Sequence, residues 1–280
     1  MTDPKLSLDT DRRTGNRRVR FFWNLVFRGL RAAGVHVGSF YARVGIFLVA
    51  GVVLAILCAL AFTALAERVR KGGTQAFDVA VLQWIHGHQT PLLTAFMTEV
   101  TYLGTGTVVL AIVTVAALFL WHTEHKHSAR LLLASTIGGI ILNNAIKLLF
   151  HRARPSVFEW GTTALSSSFP SGHAMSATVV YGTVAYLVAR LQRRVWARAL
   201  TLAGAAVLIT MICLTRLYLG VHYPTDVLGG VIVGLAWAGF CMATLEASLA
   251  IARHRAPLVR ASIEEHETPK EAAAGAAASP

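Results

Sequence analysis

The sequence predicts an all-α polytopic membrane protein in which six transmembrane helices form a bundle. Hydrophobic residues make up 55% of the 280 residues and charged residues only 14%, and the mean hydropathy is +0.55. A typical globular chain carries about 25% charged residues, so this chain lacks the polar surface of a soluble protein. It is also too apolar to be disordered. Six separate apolar runs then match the ~30 Å of hydrocarbon that a spanning helix must cross.

The six predicted spans follow one another between residues 44 and 250. The second of them is short and could begin nearer Leu103. In chain order they are Val44–Ala66, Gly106–Trp121, Ala129–Phe150, His173–Leu191, Ala199–Leu217 and Val227–Ala250.

The segment between the first two spans is predicted to be helical at the membrane interface or re-entrant. It contains the weakly amphipathic stretch Phe77–His86 and the apolar stretch Pro91–Leu103. Because Glu99 and Gly104 interrupt the apolar stretch, a seventh span is not expected there.

Orientation follows from the distribution of the basic residues. All but seven of the 26 Lys and Arg residues fall on one side of the predicted spans. The positive-inside rule places that side, with both termini, in the cytoplasm of a cell membrane. The seven exceptions face outward, and they are Arg68, Arg70, Lys71, Lys147, Arg152, Arg154 and Arg216.

The two ends of the chain are predicted to lie outside the bundle. Residues 1–43 form a basic cytoplasmic segment in which Arg17–Arg31 mixes aromatic and basic residues, as an interfacial helix on anionic lipid would. Residues 251–280 are predicted to be a disordered cytoplasmic tail, because Glu264–Pro280 is acidic and then alanine-rich. The formal charge of +12 is therefore assigned to lipid headgroups and topology, and no nucleic-acid partner is expected.

Four of the outward cations lie at or near span ends. A Lys or Arg near hydrocarbon is costly, so each should have an anionic partner. Lys147 and Arg154 are seven residues apart, which puts them on one helix face if the helix continues, although Pro155 disfavours helix at Arg154. Arg216 ends the fifth span. Arg152 fits two roles equally, a further phosphate or headgroup contact, or an interfacial anchor whose charged end reaches water.

Two more segments reach the same side of the membrane. Ser166–His173 precedes the fourth span, where serine caps a helix, proline suits its first turn and Gly172 allows close backbone approach. The free N–H groups of such a helix start bind anions. His222 and Asp226 flank Pro224 at the start of the sixth span, and a carboxylate at that spacing can orient the imidazole.

Three cations, one helix start and two histidines therefore converge on the outer face. The cations suit a phosphate dianion, and one histidine can attack phosphorus while the other protonates the departing oxygen. The sequence offers no carboxylate cluster for Mg²⁺, so no metal or cofactor is expected. His122, His125 and His127 with Glu124 form a short inner turn whose loose spacing favours a solvated polar turn over a metal site.

These motifs resemble those of the type 2 phosphatidic acid phosphatase family, which shares its site with vanadium haloperoxidases. The matching pieces are Lys147-x6-Arg154-Pro155, Pro170-Ser171-Gly172-His173 and Arg216-x5-His222-x3-Asp226, in the family's order. Thr215 stands where the family usually has serine, and Ala153 where proline is common. Neither departure removes a reacting group.

The resemblance implies that 44–250 is a six-span lipid phosphatase domain with its site at the outer ends of the third to sixth helices. It makes His222 the nucleophile that forms a phosphohistidine, Asp226 its orienting group and His173 the general acid. It assigns the phosphoryl oxygens to Lys147, Arg154, Ser171, Gly172 and Arg216.

The implied reaction is metal-independent hydrolysis of a lipid phosphate or diphosphate of the undecaprenyl diphosphate, phosphatidylglycerophosphate or phosphatidic acid class. Alternatives are a phosphotransferase, a non-catalytic lipid-binding protein and a haloperoxidase. The last of these is disfavoured because haloperoxidases are soluble.

Overall fold

The computed structural model describes residues 40–156 and 167–249, with side chains described from residue 48 onward. The predicted interfacial helix Arg17–Arg31 and the predicted tail 251–280 lie outside the described residues. Residues Leu48–Glu246 form one compact unit, which contains every side chain whose contacts are discussed below.

Within the described residues the chain folds into eight helices, and the predicted all-α class is confirmed. Loops of a few residues join most of them, whereas α5 and α6 are joined by a longer segment. The helices are α1 (Phe40–Arg70), α2 (Gln75–His86), α3 (Pro91–Tyr102), α4 (Gly106–His122), α5 (Lys126–Leu149), α6 (Gly172–Leu191), α7 (Val195–Tyr218) and α8 (Pro224–Leu249).

Five of these helices are long and apolar enough to cross a membrane by themselves, namely α1 over Leu48–Arg70, α5, α6, α7 and α8. Helix α4, which corresponds to the predicted second span Gly106–Trp121, is not among these five. Helix α4 has 17 residues and is ~26 Å long at 1.5 Å per residue, which is short for a span. It forms a bent pair with α3, with an angle of 48° between them, and six spans result when this pair is counted as one.

The break between α3 and α4 has a local cause. Thr105, the residue before α4, has extended backbone angles and so separates the two helices. Helix α3 itself begins where Thr90 accepts a hydrogen bond from the Leu93 N–H and Pro91 occupies the first turn. The apolar stretch that the sequence predicted to be interfacial or re-entrant is therefore a helix that bends sharply into α4, a geometry that fits a re-entrant segment or the first half of a broken span.

The end of α5 departs from one sequence expectation. The helix stops at Leu149, and Phe150 is extended, so Lys147 and Arg154 do not share a helix face. The chain instead leaves α5 in an extended conformation, which Pro155 also favours at the residue before it.

Small residues bring α8 against the start of α6. A Cβ added to Gly230 would lie 2.5 Å from the Ser171 carbonyl oxygen, and one added to Gly234 would lie 2.8 Å from the Thr178 Cβ. Packing without space for a methyl group is typical of helix contacts in membranes. This contact fixes the starts of the two helices side by side, where the candidate site lies.

Helices α2 and α3 pack against the end of α7 through polar contacts. The Tyr218 hydroxyl lies 2.9 Å from Thr94 Oγ1 and accepts a hydrogen bond from the Thr90 N–H at 3.2 Å. The Gln89 amide donates to the Tyr218 carbonyl at 2.6 Å. The end of α7, which carries Arg216, is thereby fixed by side chains from a distant part of the chain.

Candidate active site

All eight predicted site residues lie at one end of the bundle. They come from the end of α5, the start of α6, the end of α7 and the start of α8, and from the segments that follow α5 and α7. In chain order they are Lys147, Arg154, Ser171, Gly172, His173, Arg216, His222 and Asp226.

His222 is a buried histidine whose two ring nitrogens have different neighbours. Nε2 lies 3.5 Å from Nη1 of Arg154. A guanidinium only donates, so Nε2 presents its lone pair and the ring proton resides on Nδ1. Nδ1 lies 3.7 Å from Asp226 Oδ2, an ion-pair distance that is too long for a hydrogen bond. The basic nitrogen therefore faces the cations and the N–H faces the carboxylate.

A serine that sequence reasoning treated only as part of a helix start lies between the imidazole and this carboxylate. Ser168 Oγ donates to Asp226 Oδ2 at 2.5 Å and lies 3.4 Å from His222 Nδ1. The residue that caps α6 is Ser171, whose side chain accepts from the Ala174 N–H. The sequence around Ser168 and Ser171 gave no signal that distinguished the roles of these two serines.

Asp226 is fully buried, and both of its carboxylate oxygens are engaged. Oδ2 accepts the Tyr223 N–H at 2.9 Å in addition to the Ser168 hydroxyl. Oδ1 accepts from Nη1 of Arg152 at 2.6 Å. Its orientation toward His222 is therefore set by three donors.

Arg152 makes contacts that neither of the two roles left open by the sequence suggests. Its guanidinium points inward and bridges Asp226 to a second buried carboxylate, Asp78 of α2, at 2.7 Å. Sequence reasoning missed Asp78 because a single acidic residue in a weakly amphipathic stretch carries no signal of a long-range partner.

The three predicted phosphate-binding cations surround the same space. Arg154 Nη1 donates to the Val221 carbonyl at 3.0 Å, beside His222. Arg216 Nη1 donates to Thr101 Oγ1 at 2.6 Å, and among the residues that the structure describes its buried Nε has no hydrogen-bond partner. A buried donor without a partner is costly, so an acceptor is expected there. Thr101 of α3 was also missed from the sequence.

The start of α6 completes the arrangement. A Cβ added to Gly172 would lie 3.8 Å from Lys147 Nζ, so the absence of a side chain leaves the helix start open toward that ammonium group. His173 packs against the turn between α3 and α4, where a Cβ on Gly104 would lie 2.9 Å from its ring. The helix dipole adds a positive end to the three cations.

Burial sets the protonation state of the groups outside the spans. Burial, reinforced by the charges of Arg154 and Arg216 and opposed by Asp226, lowers the pKa of His222 from 6.5 to about 4. Burial also lowers the pKa of Arg154, although a guanidinium stays protonated at neutral pH. At pH 7 the site therefore combines a neutral imidazole with cationic side chains, which suits attack on a bound oxyanion.

Within the described ranges, no three or more His, Cys, Asp or Glu side chains come together as metal ligands. The turn that contains His122 and His125 is exposed, and Glu124 pairs there with Lys126 at 2.9 Å. Metal independence itself stays a prediction.

The fold and the site together define an integral membrane protein with a cluster of histidine and cationic side chains at one end of a helical bundle. A family model described as the PAP2 superfamily matches residues 128–249. Phosphatidylglycerophosphatase B of Bacillus subtilis is 33% identical over 179 residues, which are 63% of this chain and 87% of that protein. The chain belongs to the PAP2 superfamily, and the resemblance predicted from its motifs is confirmed.

Two further relatives agree with this assignment. An undecaprenyl-diphosphatase of Sulfolobus acidocaldarius is 27% identical over 184 residues, covering 63% of this chain and 83% of that protein. The crystal structure of a transmembrane PAP2 type phosphatidylglycerolphosphate phosphatase from Bacillus subtilis superposes with a TM-score of 0.65 at 28% identity. The superposed region covers 69% of this chain and 96% of the crystallised chain.

Proposed function

We propose that this chain is a membrane lipid phosphatase that hydrolyses a phosphate or diphosphate monoester through a phosphohistidine on His222, without a metal. The observation that carries the proposal is the position of Nε2 of His222. It is the unprotonated nitrogen of a buried neutral imidazole, and it faces Arg154 at 3.5 Å in a site lined with cations.

In the first step the phosphoryl oxygens bind to the cations and to the N–H groups at the start of α6, which neutralise charge in the transition state. Nε2 of His222 forms a bond to phosphorus as the bond from phosphorus to the lipid oxygen breaks. His173 donates a proton to that oxygen, so the lipid leaves as an alcohol, or as a monophosphate when the substrate is a diphosphate.

The second step regenerates the enzyme. Water attacks the phosphohistidine and gives a proton to His173, which now acts as a base, and the nitrogen–phosphorus bond breaks to release inorganic phosphate. The positive charge on the phosphorylated ring is stabilised by the carboxylate of Asp226, 3.7 Å away.

The relatives support a lipid substrate, since their names are those of enzymes for phosphatidylglycerophosphate and undecaprenyl diphosphate. The substrate class proposed for this chain includes these two lipids and phosphatidic acid. The headgroup would enter from the outer leaflet, with the lipid tail remaining between the helices.

Phosphate release by the purified protein, measured across a panel of these lipid phosphates, tests the proposal. We expect turnover of at least one lipid, and a loss of about 10³-fold or more in kcat for His222→Ala, because the nucleophile is absent. His125→Ala is the matched control, since His125 lies in an exposed turn outside the site. Full turnover by His222→Ala would contradict the mechanism, and radiolabelled phosphate on wild-type protein but not on the variant would support it.

A further inference from the structure

Helix α2 contributes one fully buried carboxylate to an otherwise amphipathic helix. Asp78 has no exposed surface, whereas Phe77 and Trp84 of the same helix are well exposed. Asp78 accepts hydrogen bonds from the Thr225 N–H at 3.1 Å and from the Thr225 hydroxyl at 2.7 Å. A buried carboxylate is tolerated only when it is paired and hydrogen-bonded, so the cation that pairs with it is part of the same structure.

That cation is Arg152, and its two terminal nitrogens serve different carboxylates. Nη2 donates to Asp78 Oδ2 at 2.7 Å, and Nη1 donates to Asp226 Oδ1 at 2.6 Å. The guanidinium also stacks over the ring of Tyr223, 4.1 Å from its centroid. Its side chain is only 12% exposed. A guanidinium is planar and rigid, so it fixes the distance and the angle between the two carboxylates that it joins.

This link runs from α2 to the imidazole in three contacts. Asp78 holds Arg152, Arg152 holds Oδ1 of Asp226, and Oδ2 of Asp226 faces Ser168 and His222. Rotation of the Asp226 carboxylate would move Oδ2 away from the imidazole. The hydrogen bond from Arg152 to Oδ1, on the other side of the carboxylate, opposes that rotation.

We propose that Arg152 and Asp78 are positioning residues for the reaction, which fix the carboxylate of Asp226 so that it can orient and stabilise the His222 ring. This inference rests on the proposed function, in which His222 is the nucleophile. It assigns α2, which lies outside the three sequence motifs, an indirect part in the chemistry, through the orientation of Asp226. It also separates Arg152 from Arg154, which is two residues away and faces the phosphate.

Replacement of the two arginines is expected to change different kinetic parameters. Arg154→Gln removes a phosphate contact and should raise KM. Arg152→Gln removes a partner of Asp226. It should lower kcat about 10- to 100-fold and leave KM within about twofold of wild type. A loss of this size follows when the group that orients a reacting side chain is removed.

Asp78→Asn tests the outer end of the link. This variant keeps the size of the side chain but replaces an oxygen that accepts from Arg152. We expect a fall in kcat of several-fold to about 10-fold at unchanged KM. Because the two residues act through one contact, the double variant should lose no more than Arg152→Gln alone.

The matched control breaks another ion pair, at the ends of α6 and α8 that lie far from the site. Arg190 at the end of α6 lies 3.1 Å from Glu246 near the end of α8, so Glu246→Gln removes a carboxylate from an arginine without touching the site. Its kcat and KM should stay at the wild-type values. Thermal unfolding of each variant in detergent reports the folded fraction, and if Arg152→Gln fails to fold, Arg152→Lys replaces it. Lysine keeps the charge but cannot bridge both carboxylates, so a fall in kcat at unchanged KM is still expected.

Three results would overturn the inference: unchanged kcat in the folded variants of Arg152, a raised KM at unchanged kcat, or additive losses in the double variant. The second of these would make Arg152 a substrate ligand. Failure here is distinguishable from failure of the proposed function. An inactive His222→Ala with a fully active Arg152→Gln would reject only the positioning role, whereas an active His222→Ala would reject the mechanism itself.

Discussion

At the scale of single residues, the chemistry depends on a histidine that is kept neutral among positive charges. His222 is 2% exposed, and Arg154 and Asp226 lie on opposite sides of its ring. Burial disfavours the imidazolium in the resting enzyme. In the proposed mechanism the carboxylate also stabilises the ring when it gains charge on phosphorylation. The same residues would then serve both the free and the covalent states.

The pH dependence of kcat/KM tests this description. His222 attacks only when it is neutral, so activity falls as the pH drops through its pKa, about 4. Because Arg154 lowers the pKa of His222, Arg154→Gln should move the acid limb of the residual activity to higher pH. Asp226→Asn should move it to lower pH, since Asp226 acts in the opposite direction.

If wild type, Arg154→Gln and Asp226→Asn all lost activity over the same acidic pH range, the assignment of this pKa to His222 would be contradicted. Each assay needs a parallel check of folding. The unfolded chain binds a proton at His222 below about pH 6.5 and the folded chain does so only near pH 4, so this residue makes the fold less stable as the pH falls through that window.

At the scale of helices, the site depends on how closely α6 and α8 approach each other. The Ser171 N–H donates to the Asp226 carbonyl at 2.9 Å, which ties the cap of one helix to the first turn of the other. Gly230 permits this contact because it presents no side chain to Ser171. The spacing between the start of α6 and the His222–Asp226 pair is therefore fixed by a glycine outside the motifs.

Gly230→Ala should disturb both stability and activity. The new methyl group would lie 2.5 Å from a backbone oxygen, so the helices must separate, at a cost of about 1–3 kcal/mol for overpacking. We expect a lower unfolding temperature in detergent and a lower kcat. Gly204→Ala on α7 is the control, because a Cβ there meets nothing within 4 Å and alanine favours helix. Equal effects of the two substitutions would contradict the close-contact argument.

At the scale of the whole molecule, the orientation in the membrane decides which lipid leaflet supplies the substrate. The distribution of Lys and Arg predicts that the site faces outward. A membrane-impermeant thiol reagent on intact cells tests this with single cysteines at two positions. Lys71→Cys lies in the exposed turn between α1 and α2, and His125→Cys lies in the turn between α4 and α5.

We expect labelling of the first variant only, in a background without Cys58, Cys213 and Cys241. Labelling of His125→Cys alone would reverse the orientation. This outcome would move the proposed substrate entry to the inner leaflet and leave the chemistry of the site unchanged.

Metal independence is a second prediction at the scale of the whole molecule. In the proposed mechanism Lys147, Arg154 and Arg216 neutralise the phosphoryl group, so turnover should persist at full rate in EDTA. Added Mg²⁺ should not increase it. Loss of phosphate release in EDTA that Mg²⁺ restores would contradict the prediction.

The sequence by itself determined the helical class, five of the spans and the eight residues that converge at one end. It could do so because apolar length, helix-start signals and short-range spacings such as His222 to Asp226 are local properties of the chain. The interruption near Gly104 was predicted, but apolar composition alone did not show that α3 and α4 form one bent pair.

Only the tertiary structure decided which groups support those eight residues. Asp78 and Thr225 are 147 positions apart, and Thr101 and Arg216 are 115 apart. Side-chain contacts at such separations follow from the packing of the helices, which leaves no periodicity or spacing in the sequence. The inward turn of Arg152 has the same origin, because a guanidinium near a span end points to water unless a folded neighbour presents buried carboxylates to it.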